Sequence, residues 1–323
     1  MTQRAPSTDG ALCGPRPVPP AGVDGNGATL KLMSADQSSG DALNDAAVLP
    51  RVSIVIPAYN EESVIRQCLI AAVYQSVPAH EIIVVDNLST DRTAAIVQQM
   101  QLEYPESCVI LLSQDTDQGL IPTRNFGLNH ATGDILGRID ADSVVEPDWV
   151  EQVQRAFHDP SVQAATGPVV YYDMPMRRFG LKADDKMRQL MLKLAKQQYH
   201  FLFGSNMALR ATAWETIRSE TCRDEKDEMH EDIDLSLHLA DHGLKVQYWP
   251  QMVSGMSARR LEDSPRDYRY YVTRFDRTYK AHNVKKMALK APMVVFFSVY
   301  FPAKILRAIH TVNTAQPARR GGQ

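Results

Sequence analysis

Cysteine is scarce and scattered. Cys13, Cys68, Cys108 and Cys222 are the only four, and none forms a C-x-x-C pair. The sequence therefore shows neither a zinc-ribbon pattern nor a disulfide framework, and it suits a reducing cytoplasm. Long apolar runs are missing too: nowhere do about 20 apolar residues follow one another, the length a spanning helix needs. The first 50 residues lack the apolar stretch of a secretory signal. Neither secretion nor membrane spanning is expected. With 44% apolar and 23% charged residues, the composition is that of a globular protein and excludes collagen-like or wholly disordered chains. Net charge is only −3, but after Ser254 there are 14 Lys and Arg against 4 Asp and Glu. An acidic body thus carries a basic tail.

Residues 1–50 are rich in Pro, Gly, Ala, Ser and Asp without periodic apolar positions, which predicts a disordered leader. From Arg51 the pattern changes. The apolar run Val52–Ile56 reads as a strand stopped by Pro57, followed by a helix over Glu61–Gln75 and a strand over Ile82–Val85. A helix over Asp91–Leu102, a strand over Val109–Leu112, a helix over Ile121–His130 and a strand over Ile135–Ile139 come next. Apolar runs in place of alternating ones imply strands covered on both faces, hence an α/β fold with a mostly parallel central sheet flanked by helices. Farther on, a strand is expected over Val162–Tyr172, a helix over Met174–Tyr199 with Met187, Leu190, Met191 and Leu194 on one face, and an extended stretch over Phe201–Leu209. A helix over Glu231–Ala240 and a strand over Val246–Trp249 complete a domain of residues 51–254, with a helical C-terminal extension over 255–323.

In such a sheet, function belongs at the carboxyl ends of the strands. Asp140-Ala141-Asp142 ends the fourth strand, and two carboxylates so spaced can converge on a hard divalent cation. They also fit a solvated acidic turn, or the D-x-D opening of a haloacid-dehalogenase phosphatase, whose downstream acidic Gly-Asp motif is missing. Glu231-Asp232 opens a helix, where the dipole alone accounts for acidic residues. The extended Gly204-Ser205-Asn206 upstream offers a place for a substrate beside a carboxylate able to take a proton.

Six motifs in order carry a resemblance. They are VSIVIPAYNE at Val52–Glu61, IVVDNLSTDRT at Ile83–Thr93, Arg124-Asn125 with Gly127, IDAD at Ile139–Asp142, GSNMALR at Gly204–Arg210, and Glu231-Asp232. With them, the chain resembles the family 2 inverting glycosyltransferases of the GT-A fold over residues 51–250. That resemblance implies single-sugar transfer from a nucleotide diphosphate sugar to a carbohydrate or lipid-linked acceptor. Pro57, Ala58, Tyr59, Glu61, Asp86, Arg124 and Asp140 would then line the donor, and Asp140 with Asp142 would hold Mg2+ or Mn2+. Asp232 would be the general base, with Gly204, Ser205, Asn206 and Glu231 on the acceptor side. A non-catalytic nucleotide-sugar-binding module is the other class to weigh. Nucleic acid is not an expected partner.

Pro122-Thr123 replaces the small pair that many relatives carry before Arg-Asn, and Val253–Ser257 offers no histidine for a metal. Arg259 and Arg260 are candidates for the diphosphate, or else a solvated pair. The Q-x-x-R-W signature of processive synthases is absent. In the tail, Ala291–Ala303 is uncharged and lies between basic clusters, the composition of a segment resting on an anionic membrane surface or of a helix packed on the domain. The expected location is the cytoplasm, peripheral on the inner face of the cell membrane.

Overall fold

The runs Val52–Ile56, Ile82–Val85 and Ile135–Ile139 become strands of one sheet because each is buried on both sides, while Val109–Leu112 is half-buried at its edge. The structure, a computed structural model, describes residues 49–175, 201–224, 228–284 and 291–315. In chain order these form β1 (Val52–Ala58), α1 (Ile65–Val73), β2 (Glu81–Asp86), α2 (Thr93–Glu103), β3 (Val109–Ser113), α3 (Leu120–His130) and β4 (Ile135–Arg138). Next come β5 (Val144–Val145), α4 (Trp149–Ala156), β6 (Val162–Thr166), β7 (Val169–Tyr171), β8 (Met207–Arg210), α5 (Ala211–Ile217) and α6 (Glu231–Asp241). Then follow β9 (Lys245–Tyr248), β10 (Ser254–Met256), α7 (Pro265–Val272), α8 (Arg274–Ala281) and α9 (Ala291–Ala315).

Seven strands lie in the order β3-β2-β1-β4-β8-β6-β9. Among the described strands of this sheet only β8 runs against its neighbours; the pairs β1–β2, β1–β4, β2–β3 and β6–β9 are parallel. The α/β fold with a mostly parallel sheet is thus as expected. Alternate residues of β1 feed two cores: Ile54 and Ile56 pack with Leu69, Val97 and Trp149, whereas Val55 packs with Leu128, Leu136 and Trp214. A second sheet has the order β5-β10-β7. Strand β10 straddles the junction expected at residue 254: Ser254 pairs with both Val145 and Val169.

Several boundaries differ from expectation. Strand β1 runs through Pro57, because the Arg51 and Val55 carbonyls face β4 while those of Val52 and Ala58 face the β2 side. The missing N–H of Pro57 therefore points past the last β4 bond, Ile139 N to Val55 O, and costs the ladder nothing. The single strand expected over Val162–Tyr172 is two strands in different sheets. They part at Gly167-Pro168, where a Cβ on Gly167 would lie 1.8 Å from the Met252 carbonyl oxygen. Helices α4 and α5 lie where no helix is expected from the sequence, whereas α7, α8 and α9 fall in the extension expected to be helical. The helix expected over Met174–Tyr199 lies almost wholly outside the described residues, as does the leader.

Asn206 joins these parts. Its Oδ1 accepts from Trp149 Nε1 at 2.8 Å, and its Nδ2 donates to the carbonyls of Pro168 and Met252 at 2.9 and 2.7 Å. The side chain is wholly buried, so its loss leaves three polar groups without partners. Asn206→Ala is expected to lower unfolding free energy by about 2–4 kcal/mol, read as a fall in the urea midpoint at unchanged slope.

Candidate active site

The carboxyl ends of β1, β2 and β4 open on one side of the sheet. Pro57 and Ala58 close β1, and the chain turns at Asn60, whose φ of 54° lies in the left-handed region that asparagine tolerates. This turn is held by the loop after β2. Asn60 Oδ1 accepts from Thr90 N at 2.8 Å, Asn60 N donates to Ser89 Oγ at 2.9 Å, and Glu61 N donates to Thr93 Oγ1 at 2.8 Å. Much of the second motif is therefore a brace for the first. Tyr59 stands out from it, 49% exposed.

Asp86 ends β2, and its Oδ1 is buried without a hydrogen-bond partner. Its neighbour Asn87 spends its amide on the loop before α3, donating to the Gln114 and Asp117 carbonyls and accepting from Gly119 N. Among the described residues nothing donates to that Asp86 oxygen, so it is a buried carboxylate acceptor left unused.

Arg138 occupies the centre. It is 1% exposed, and its two terminal nitrogens meet Asp140 Oδ1 at 2.7 Å and Glu231 Oε1 at 3.0 Å. Burial works to lower its pKa, but Asp140 and Glu231 outweigh it, so the guanidinium stays charged. Gly204 is required beside it: a Cβ there would lie 2.1 Å from Arg138 Nη1. Arg124, expected at the nucleotide, is fully buried behind Glu231. It donates to the Glu231 carbonyl at 3.0 Å and to Asn125 Oδ1. It supports the start of α6 and has no surface open to a ligand.

Asp232 follows with both oxygens held by backbone N–H groups, Oδ2 by Gly204 at 3.0 Å and Oδ1 by Ile233 at 2.8 Å. Burial raises the pKa of Asp232, and it lifts Glu231 to about 7 despite the opposing pull of Arg138. Ser205 is buried, its carbonyl accepting from Ser143 Oγ at 3.4 Å, and Asn206 is saturated as described. Of the residues placed on the acceptor side, Gly204 and Glu231 border Asp232, whereas Ser205 and Asn206 serve the architecture.

Asp142 is held from the tail. Arg259 Nε lies 3.1 Å from its Oδ2, while the two terminal nitrogens of the same guanidinium clasp Glu61 at 2.7 and 2.6 Å. One of the two candidate arginines thus joins the acidic site; Arg260 instead stacks over Tyr271, 4.0 Å from the ring centroid. Burial, then the nearby Asp140, pushes Asp142 up to about 6, with Arg259 opposing.

Arg138 escaped sequence reasoning as a site residue, and Arg259, a candidate for the diphosphate, was not linked to Glu61 or Asp142. A charged residue inside the apolar run Ile135–Ile139 was the available signal for Arg138. Nothing in the sequence joins Arg259 to Glu61, 198 positions away.

Comparison with known proteins identifies the architecture. The profile of glycosyl transferase family 2 matches residues 53–218, and that of glycosyl transferase family group 2 matches residues 138–313. The chain belongs to glycosyl transferase family 2. Glycosyltransferase AglE of Haloferax volcanii is 34% identical to it over 127 residues, 39% of this chain and 41% of the relative. Beta-monoglucosyldiacylglycerol synthase of Synechocystis is 33% identical over 141 residues, 42% of this chain and 29% of the relative. The chain therefore spans less than half the length of these two relatives. The mannosyltransferase PcManGT from Pyrobaculum calidifontis, solved with GDP-Man and Mn2+, shares the GT-A fold. Its TM-score is 0.56 at 23% identity, covering 86% of this chain and 78% of that one.

The raised pKa of Asp142 makes this family 2 site a stability liability. A carboxyl that folds into a place of higher pKa is bound to its proton more tightly when native, so its contribution to stability falls as pH rises from about 4 to 6 and stays lost above that. Without added metal, Asp142→Asn is expected to raise the thermal midpoint at pH 7.5, a gain on the order of 1–3 kcal/mol. The gain should vanish near pH 4, as paired melts across that range will show.

Proposed function

We propose that the protein transfers one sugar from a nucleotide diphosphate sugar to an acceptor hydroxyl with inversion, supported by Mg2+ or Mn2+, with Asp232 as general base. The observation that carries this reading is the tie, through Arg138, of the D-x-D at the end of β4 to Glu231-Asp232 at the start of α6. Family membership adds to it, as does the structural neighbour solved with GDP-Man and Mn2+. It leaves the D-x-D phosphatase alternative without support.

Asp140 and Asp142 fit a hard divalent ion. Both are carboxylates at one strand end, and their crowding, with burial, already holds Asp142 near 6, a cost that a cation relieves. Bound there, the ion would neutralise charge developing on the leaving diphosphate. The donor base would meet the unpartnered Asp86 Oδ1, and Tyr59 would supply an exposed ring beside it. Arg259, already between Glu61 and Asp142, is the cation best placed to follow the diphosphate as the site fills.

Inversion needs the acceptor oxygen to attack the anomeric carbon from the face opposite the leaving group. As the new C–O bond forms and the bond to the diphosphate breaks, the acceptor proton passes to Asp232. Burial makes that carboxylate more basic than a solvated one, while the Gly204 and Ile233 N–H groups hold its orientation. Neighbouring Glu231 is held in its ion pair with Arg138.

A lipid-linked acceptor at a membrane surface is part of the same proposal. Helix α9 continues well beyond the uncharged Ala291–Ala303, and its Met293–His310 stretch, of mean hydropathy 1.3, is long and apolar enough to cross a membrane by length and composition. This revises the view that no segment is long enough: Lys304 and Arg307 interrupt the run without ending the helix. Both cations turn to the protein, Lys304 to the Asp263 carbonyl at 2.7 Å and Arg307 to Asp173 and Glu262. Tyr300 packs inward on Tyr268, while Val294, Phe301, Ile305 and Ile309 are each more than half exposed. One face docked and one apolar face outward is the geometry of a helix lying in an interface. The relative named for a glucosyldiacylglycerol product points the same way.

Two outcomes are expected. Asp232→Asn should keep donor affinity and lose transfer by about 10²-fold or more, the scale of general-base catalysis; equal losses of binding and rate would mark a structural cap. The full-length chain should sediment with anionic vesicles, less so as salt rises, and truncation after Lys286 should release it. Indifference to such vesicles at low salt, with truncation lowering the melting midpoint, would make α9 part of the core.

A further inference from the structure

Four groups of mixed chemistry converge away from the sugar-transfer residues. Asp234 and His238 lie one turn apart on α6, Cys222 lies in the segment after α5, and His282 ends α8. One donor atom from each lies within 4.8 Å of all the others. We propose that Cys222, Asp234, His238 and His282 form a tetrahedral transition-metal site, suited to zinc, that clamps α6 to the two segments beside it.

The spacings are those of a coordination shell. His282 Nε2 stands 2.8 Å from Asp234 Oδ1, His238 Nε2 3.4 Å from the same oxygen, and Cys222 Sγ 3.9 Å from His282 Nε2. Ligands held tetrahedrally at zinc–nitrogen and zinc–sulfur bond lengths lie roughly 3.3–3.8 Å from one another, so small side-chain shifts admit the ion. Asp234 is wholly buried, and its other oxygen accepts from Cys222 N at 3.2 Å, which leaves Oδ1 for the cluster.

The donor set selects against the ions proposed for Asp140 and Asp142. A thiolate and two imidazoles are borderline-soft ligands, whereas Mg2+ and Mn2+ prefer oxygen. On loading, the Cys222 thiol gives its proton to solvent and both histidines bind as neutral rings. An outer partner is present as well: His238 Nδ1 faces Glu220 Oε2 at 3.7 Å, and Glu220 is itself held by His242 at 3.0 Å. A carboxylate behind a metal-bound histidine sets its tautomer and raises its basicity. Such a clamp acts on catalysis only through position, because the first turn of α6 carries Glu231 and Asp232.

Cobalt makes the site visible. The full-length chain, freed of metal with a chelator, is titrated with Co2+. The expected result is one equivalent giving visible bands of tetrahedral intensity and a near-ultraviolet thiolate-to-cobalt band, all bleached by Zn2+. Cys222→Ser should remove the thiolate band, and His282→Ala should weaken Zn2+ binding by at least about tenfold. Glu220→Gln should cost roughly tenfold, the scale for outer partners of metal-bound histidines. Asp142→Ala should leave the cobalt spectrum unchanged. A wild-type chain that gives no thiolate band, or a band that survives Cys222→Ser, overturns the proposal; the wild-type spectrum decides even where a variant fails to fold.

Discussion

One buried guanidinium organises this molecule. Arg138 sits in a central strand at 1% exposure, where an unpaired charge would cost several kcal/mol. Asp140 on one side and Glu231 on the other meet that cost, and each is thereby fixed in place. The rest follows from sterics and charge. Residue 204 must be glycine because the ion pair fills the space of its Cβ. The Gly204 N–H is then free to hold Asp232, and Arg124 closes the far side of Glu231. The two acidic stations of the site are thus parts of one charge network, and displacing one strains the other.

A second clasp brings the C-terminal segment into the same network. Arg259 reaches Glu61 and Asp142 only because β10 carries the chain back beside β5 and β7. Beyond it, α7 and α9 form their own apolar cluster around Tyr268, Val272 and Tyr300. An apolar outer face on α9 therefore hangs from the element that positions Arg259.

Much of the polar motif sequence around the β1 and β2 ends holds backbone. Ser89, Thr90, Asp91 and Thr93 bond the turn at Asn60 to Glu62, and Asn87 ties down the loop before α3. A rigid loop frame of this kind lets the few groups left over, Asp86 Oδ1 and the Tyr59 ring, be presented without reorganisation on binding.

By itself, the sequence determined the order of strands and helices through β4, the mostly parallel sheet and the carboxyl-end location of its motifs, because continuous apolar runs are a local signal. It also marked Asp140, Asp142, Glu231 and Asp232 as a set, through the order of six motifs. Tertiary structure alone decided the partners. Arg124 reads as a ligand contact but is buried under Glu231, since only packing shows which way a side chain faces. The break at Gly167-Pro168 splits one apolar run between two sheets because the Met252 backbone approaches there. Arg259 joins Glu61, and Cys222 joins His282, across separations that no local pattern encodes. Charge pairing and metal-ligand geometry are properties of distance in space, and the chain sets those distances only once the sheet has closed around Arg138.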